Sequence, residues 1–306
     1  MNNITRKAYA KINLGLDVLG RRPDGYHEVK MVMQTIGLYD ELTFEKIPPN
    51  NTSTPITIET NSTQIPTDEN NIIYRAAIAI IERFNLNSHI KINLTKNIPV
   101  AAGMAGGSTN AAAVFHGLND LFKLNMTINE MCEMGVKIGA DVPFCILSGT
   151  ALAEGIGEKL TPLPPLPPCH ILITKPDIPI STKWVYENLT INTIKHHPDI
   201  DGMITALHNQ DLIGITSRMQ NVLETVTIKK HPIINELKEK ILALGAQKTL
   251  MSGSGPTIFA IFTTKTKAQT AHNKLKKDYE THLTTGTPMS VGSVISKSRP
   301  LRNVVT

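Results

Sequence analysis

Residues 99–113 read Pro-Val-Ala-Ala-Gly-Met-Ala-Gly-Gly-Ser-Thr-Asn-Ala-Ala-Ala, a glycine-rich loop that runs without a break into the start of an apolar-striped helix. Gly103, Gly106 and Gly107 have no side chain to hold a ligand away and can take positive φ, so backbone N–H groups can close around an anion. Ser108 and Thr109 follow in the first helical turn, where unpaired N–H groups and the positive end of the helix dipole favour a phosphate. Ala111, Val114, Phe115, Leu118, Leu121 and Phe122 then recur at helical spacing and commit one face to a core, which leaves the helix start for a ligand. The competing reading, in which Gly and Ala merely allow tight helix packing, leaves Ser-Thr at the helix start without a reason. No Lys follows the glycines as in G-x-x-x-x-G-K-[ST], and G-x-G-x-x-G is absent, which disfavours P-loop NTPases, dinucleotide-binding enzymes and protein kinases.

Near the N-terminus residues 8–18 alternate, with Ala8, Ala10, Ile12, Leu14, Leu16 and Val18 on one side and Tyr9, Lys11, Asn13, Gly15 and Asp17 on the other. The turn-rich run Gly20 to Gly25 leads into a second extended stretch through about Ile36, which predicts a hairpin with a long loop. Strands near Leu42 to Glu45 and Ile56 to Thr60, a helix near Ile72 to Phe84 and a strand at Ile90 to Lys96 precede the glycine loop. A helix over Ile128 to Ile138, stopped by Gly139, and the segment Ala151 to Glu154 follow it. Thr161-Pro-Leu-Pro-Pro-Leu-Pro-Pro168 can continue neither a helix nor a central strand and predicts a stiff spacer. It divides the chain into residues 1–160, a linker at 161–168, and residues 169–306.

Beyond it the pattern predicts a strand at Ile171 to Thr174 and helices near Met203 to Leu207, Asp211 to Met219 and Pro232 to Leu244. A strand near Lys248 to Met251, the loop Ser252-Gly-Ser-Gly-Pro256 and a strand at Thr257 to Phe262 come next. A helix near Thr266 to Tyr279 and a last strand near Val291 to Ile295 close the series. Strands and helices mix without a βαβ rhythm, which favours an α+β class over a doubly wound sheet.

At 306 residues and 41% hydrophobic content, the chain can bury substantial cores in one large or two ordinary domains. Its net charge of +5 comes from Lys and Arg scattered among acids and not from one basic stripe, so nucleic acid is not an expected partner. Cys132, Cys145 and Cys169 are odd in number and lack C-x-x-C spacing, which indicates neither a disulfide framework nor a zinc site and fits a reducing cytoplasm. The start has no apolar signal-like region, and no run is long and apolar enough to cross a bilayer, so a soluble cytoplasmic protein without a membrane partner is expected.

Four further features carry chemistry, each beside a plainer reading. Lys11 could be a snorkelling edge residue, or a fixed cation if its strand face lines a cleft. Asp141, in Gly139-Ala-Asp-Val-Pro143, could cap a turn or helix, or enter a cleft and take a proton. Tyr26 and His27, after a Pro-Asp-Gly turn, could be surface aromatics or could stack on and hydrogen-bond a flat ring. Ser252 to Gly255 alone reads as a hairpin turn, but beside the first glycine loop it could pack against phosphates or substrate. His196 and His197 lack metal-ligand spacing and read as loop residues.

Ala10 to His27, the glycine loop, Gly139 to Pro143 and Met251 to Pro256 occur in this order and at these separations. Together they closely resemble the galactokinase, homoserine kinase, mevalonate kinase and phosphomevalonate kinase (GHMP) superfamily, over most of the chain and least from Tyr186 to Lys230 and beyond Lys297. The resemblance implies a two-domain fold with the active-site cleft between the domains. It implies phosphoryl transfer from ATP, with Mg²⁺, to the 2-hydroxyl of a cytidine-diphosphate-linked methylerythritol in isoprenoid precursor synthesis, by a monomer or homodimer. The family's glycine motif falls on Pro99, Val100, Ala101, Ala102, Gly103, Met104, Ala105, Gly106, Gly107, Ser108 and Thr109, with Asn71 and Lys96 around the adenosine and Ser108 towards the metal. Its catalytic Asp and Lys fall on Asp141 and Lys11. Its acceptor-binding positions fall on Asn13 near the polyol, on Tyr26 and His27 at the cytosine, and on Tyr186 at the opposite face of that base. Ala105 stands where many members have Gly, which requires a negative φ there. The alternatives are another small-molecule kinase or the related decarboxylase of the superfamily, and a noncatalytic nucleotide sensor, which the presence of both Lys11 and Asp141 disfavours.

Overall fold

The opening alternation builds a long antiparallel hairpin from β1 (Asn3–Arg21) and β2 (His27–Ile47). The computed structural model describes residues 3–48 and 55–286 of the chain. Where two successive strands were predicted, β2 is continuous. The β1 ladder resumes at Tyr9↔Tyr39 after Lys11↔Thr35, and the bulge between these pairs takes up Gly37 within the strand.

A second bulge lies between Asn13 and Gly15, and an extra residue in a strand makes its alternation resume on the opposite face. Beyond it Leu16 and Val18 leave the core that Ile12 and Leu14 share, and β1 serves two cores. Ala10, Ile12 and Leu14 pack with Ile171, Met203 and Phe259, whereas Ala8, Leu16 and Val18 join the core of Phe44, Phe115 and Phe144.

The first half continues with β3 (Ile56–Thr60), α1 (Ile72–Phe84), β4 (His89–Thr95), α2 (Gly106–Phe122), α3 (Ile128–Ile138), α4 (Val142–Leu147), β5 (Thr150–Gly155) and β6 (Lys159–Leu163). Its sheet has the order β3-β4-β2-β5-β6, with β1 on the other edge of β2. One edge of β2 is divided between two partners. Val29–Gln34 pair with β5 and Glu41–Ile47 with β4, and the gap at residues 35–40 is where the glycine loop leaves the sheet.

β6 corrects one expectation: Thr161, Pro162 and Leu163 are paired with β5 and are not spacer. As the outermost strand, β6 can hold a proline whose missing N–H would break an interior ladder.

The second half comprises β7 (His170–Lys175), α5 (Thr182–Glu187), a 3-10 turn at Ile191–Thr193, α6 (Ile200–His208), α7 (Leu212–Arg218), α8 (Glu224–Lys230), α9 (Ile233–Ala243), β8 (Lys248–Met251), β9 (Ile258–Phe262), α10 (Lys265–Leu275) and β10 (Glu280–Thr285). Its four strands form an antiparallel sheet in the order β10-β7-β9-β8. The predicted strand at Val291–Ile295 lies outside the described residues. One mixed sheet and one antiparallel sheet, with helices in both halves of the chain, make the class α+β.

The halves are joined at the hairpin. Leu16 exchanges backbone hydrogen bonds with Gln220 and Val222, and Asn221 between them donates to the carbonyls of Met251 and Gly253. The second glycine turn is thereby tied to the strand that carries Lys11. No helix among the described residues is long and apolar enough to cross a membrane.

Candidate active site

α2 is 17 residues long and begins without a side-chain cap. An α-helix leaves its first N–H groups without intrahelical carbonyls, and the first to find one here is that of Thr109, on Ala105 O at 2.9 Å. The N–H groups of Gly106, Gly107 and Ser108 are therefore those left for a ligand at the positive end of the dipole. The loop before them is held from behind. Gly103 has φ +69°, and a Cβ there would run into the carbonyl oxygen of Ser252. Ser252 in turn donates its hydroxyl to Gly103 O at 3.0 Å. The second glycine turn thus packs on the first, and Gly253 and Ser254 reach the same cleft.

Ala105 overturns an expectation. Its φ is +55°, in the left-handed region, where the resemblance had required a negative value of a non-glycine residue. The chain must reverse at this N-cap to aim the next three N–H groups into the cleft, and the surroundings hold alanine there against its preference. Met104 and Thr109, expected to contact ATP, do not line the cleft. Met104 is buried in the core of Ala10 and Ile12, with its carbonyl on Lys11 N, and the Thr109 hydroxyl donates to Tyr9 O at 2.7 Å. Both bind the loop to β1.

The gap in the β2 ladder is filled by Asp40, whose side chain is wholly buried. One carboxylate oxygen accepts from the backbone N–H groups of Asn97 and Ile98, each at 2.7 Å. The other accepts from Lys96 Nζ at 2.7 Å and Asn110 Nδ2 at 2.8 Å. Lys96 also donates to Ile98 O, so its ammonium braces the root of the loop at the cleft wall. Burial pushes the Lys96 pKa down, against the pull of Asp40. Asn71 lines the cleft too, but both ends of its amide are engaged: Oδ1 caps α1 through Ile73 N, and Nδ2 donates to Pro66 O.

Lys11, only 5% exposed, lines the cleft. Its ammonium donates to Asn13 Oδ1 at 2.8 Å and to Gly103 O at 3.3 Å, and lies 3.8 Å from Asp141 Oδ2. Asp141 occupies the N-cap position of α4 yet makes no capping hydrogen bond, which leaves its carboxylate free to face the cleft. The buried Asn13 completes its bonds with Nδ2 on Met31 Sδ at 3.4 Å. Cys145, one turn along α4, has its thiol pKa pushed far up by burial and then by the charge of Asp141, so it is no nucleophile.

At the other end the hairpin tip and α5 face each other. The His27 and Tyr186 rings stand 5.1 Å apart at 38°, within the range of about 4.5–7 Å for a direct aromatic contact. A base therefore does not fit between those two rings. Tyr26, 59% exposed at the mouth, has its ring open. Burial, then the charge of Arg21, lowers the His27 pKa, which keeps the imidazole neutral at pH 7 with one nitrogen to donate and one to accept. Burial pushes the Tyr186 phenol upward and the charge of Asp141 adds to it, so the hydroxyl stays protonated.

These residues share one cleft of about 1390 Å³. That exceeds the range of about 300–1,000 Å³ usual for a single small ligand and leaves room for two substrates. The model of the GHMP kinases N terminal domain matches residues 71–149, and that of the GHMP kinases C terminal domain matches residues 203–281. The chain belongs to the GHMP kinase family.

This GHMP kinase is 53% identical to the 4-diphosphocytidyl-2-C-methyl-D-erythritol kinase of Lachnoclostridium phytofermentans, over 90% of its own length and 94% of the relative's. A crystal structure of a 4-(cytidine 5'-diphospho)-2C-methyl-D-erythritol kinase superposes with a TM-score of 0.79 at 30% identity, covering 93% of this chain and 100% of that one. Homoserine kinase from Cytophaga hutchinsonii, with a TM-score of 0.75 at 21% identity over 94% and 95% of the two chains, shares the fold. Within this GHMP kinase the structure adds residues that sequence reading missed. Asp40 and Asn110 hold the loop, Asn221 holds the second turn, and Thr182 meets Ser254 Oγ at 2.8 Å in the cleft wall.

Proposed function

We propose that this GHMP kinase transfers the γ-phosphoryl group of ATP to the 2-hydroxyl of 4-diphosphocytidyl-2-C-methyl-D-erythritol, giving the 2-phosphate and ADP, a step in isoprenoid precursor synthesis. One observation carries the reading: Lys11 and Asp141 stand 3.8 Å apart between an uncapped, glycine-lined helix start and an aromatic wall in a single cleft. The identity of 53% to the relative of that name supports the choice of acceptor.

ATP lies with its phosphates on the N–H groups of Gly106, Gly107 and Ser108 and its adenosine towards Asn71 and Lys96. The acceptor lies with its cytosine at Tyr26 and His27, Tyr26 covering a face of the ring and the neutral His27 bonding its edge. Its polyol lies along Asn13. Tyr186 bounds the slot from α5 by packing on His27, not by enclosing the base against it.

The Asp141 carboxylate takes the proton of the 2-hydroxyl as that oxygen bonds to the γ-phosphorus and the bond to the β-phosphate oxygen breaks, its electron pair leaving on ADP. Lys11 orients Asp141 and offsets charge on the transferring group, while Asn13 and Gly103 O fix the ammonium. Mg²⁺ fits the donors present, because the Ser108 hydroxyl and the Asp141 carboxylate are hard oxygens of the kind it takes beside phosphates. When bound it neutralises phosphate charge.

A coupled ADP-release assay with the cytidine-linked acceptor, mevalonate and homoserine offered separately tests the reading. Release with the cytidine-linked acceptor alone is expected. Release with mevalonate alone would transfer the assignment to another branch of the family, and ATP binding without release from any acceptor would make the protein a sensor.

A further inference from the structure

We infer that Arg21 is the cation that binds the diphosphate of the acceptor, and that it makes the site select a nucleotide-linked alcohol over a bare one. The inference rests on the acceptor proposed above. The cations in the cleft wall are Lys11, Arg21, Lys96 and Lys183. Three are engaged: Lys11 with Asn13, Gly103 and Asp141, Lys96 with Asp40 and Ile98 O, and Lys183 with Glu187 at 3.8 Å.

Arg21 has no ion-pair partner among the described residues. Its neighbour Arg22 is held by Asp24 and Glu28, each at 3.0 Å. The two adjacent arginines therefore do different things: one closes the hairpin turn, and the other keeps its charge for something outside the fold.

The position of Arg21 says what that is. It is the direct cross-strand partner of His27, so both side chains leave the same face of the hairpin, and both line the cleft. In a cytidine diphosphate the phosphates follow the base by one ribose, and a cation beside the residue that reads the base meets them. The guanidinium fork matches two phosphate oxygens at once, which an ammonium does not. Arg21 already acts on its neighbour, because its charge is the second cause, after burial, of the lowered His27 pKa.

Calorimetry with CDP and with cytidine on the whole protein tests the inference. Removing a charge-assisted contact at a half-open site lowers affinity by about tenfold. Arg21→Ala is expected to lose about that factor on CDP with little change on cytidine, and Arg21→Lys to recover part of it. In turnover the rise should fall on the KM for the acceptor and not on that for ATP. An unchanged preference for CDP over cytidine in Arg21→Ala, or an equal rise in both KM values, would overturn the role of Arg21. A wild-type protein that binds neither compound would instead overturn the acceptor on which the inference rests.

Discussion

Ser252 donates its hydroxyl to the carbonyl oxygen of Gly103 at 3.0 Å, and its own carbonyl fills the space where a Gly103 side chain would stand. Two glycine loops 149 residues apart are thereby locked together in the wall of one cleft. Gly103→Ala would meet both a backbone clash and φ of +69°. We expect turnover to fall by about 100-fold or more, as misplacement by about 1 Å can cost. Steady-state kinetics on variant protein that still melts cooperatively checks this, and a loss below fivefold would show that the loops are not coupled.

Ala105 makes the opposite prediction. A left-handed non-glycine residue costs about 1–2 kcal/mol, and glycine returns about 0.4–1 kcal/mol of that as entropy in the unfolded chain. Ala105→Gly should therefore raise stability by about 0.5–1 kcal/mol, read as a shift in urea midpoint. A lower midpoint would mean that the alanine methyl contributes packing that outweighs its backbone strain.

Asp40 should be the most sensitive residue outside the reacting centre. Asp40→Asn leaves the Lys96 ammonium buried without its counter-charge, and breaking such a pair costs about 3–5 kcal/mol. Adding Lys96→Met should restore part of the loss, since no charge is then stranded. Chemical denaturation of both variants decides; equal stability of the wild type and Asp40→Asn would make the network incidental.

Acid should weaken the fold through His116. Burial lowers its folded pKa below the unfolded value of about 6.5, while its ring bonds the carbonyl of Ile146 at 3.1 Å. The unfolded chain then takes up the proton first, so stability is lost as pH falls below about 6.5 and continues to fall until the folded pKa is passed. Above about pH 7.5 the group contributes almost no slope. His116→Gln should lose less stability than the wild type between pH 7.5 and 5.5, and identical losses would remove His116 as a cause.

What could be read from the chain was whatever a local pattern carries. The spans of α1 and α3 and the direction of the glycine loop into α2 follow from apolar spacing and capping residues within a few positions. Asp40 carries no such signal, because it is one acid in a strand and its partners Lys96 and Asn110 lie 56 and 70 residues away. The division of β1 between two cores depends on a bulge, which appears only when β2 is laid beside it. Pro162 in a strand could not be read before β6 was known to be an edge. The backbone of Ala105 contradicts its own preference, and only the packing around the loop imposes it.

In the proposed reaction Asp141 receives the acceptor's proton while the glycine loop holds the donor. Transfer of label from γ-labelled ATP to 4-diphosphocytidyl-2-C-methyl-D-erythritol, compared in the wild type and Asp141→Asn, measures both roles at once. We predict label on the acceptor, a kcat lower by about 100-fold or more in the variant, and little change in the KM for ATP. Near-normal transfer by Asp141→Asn would contradict the account.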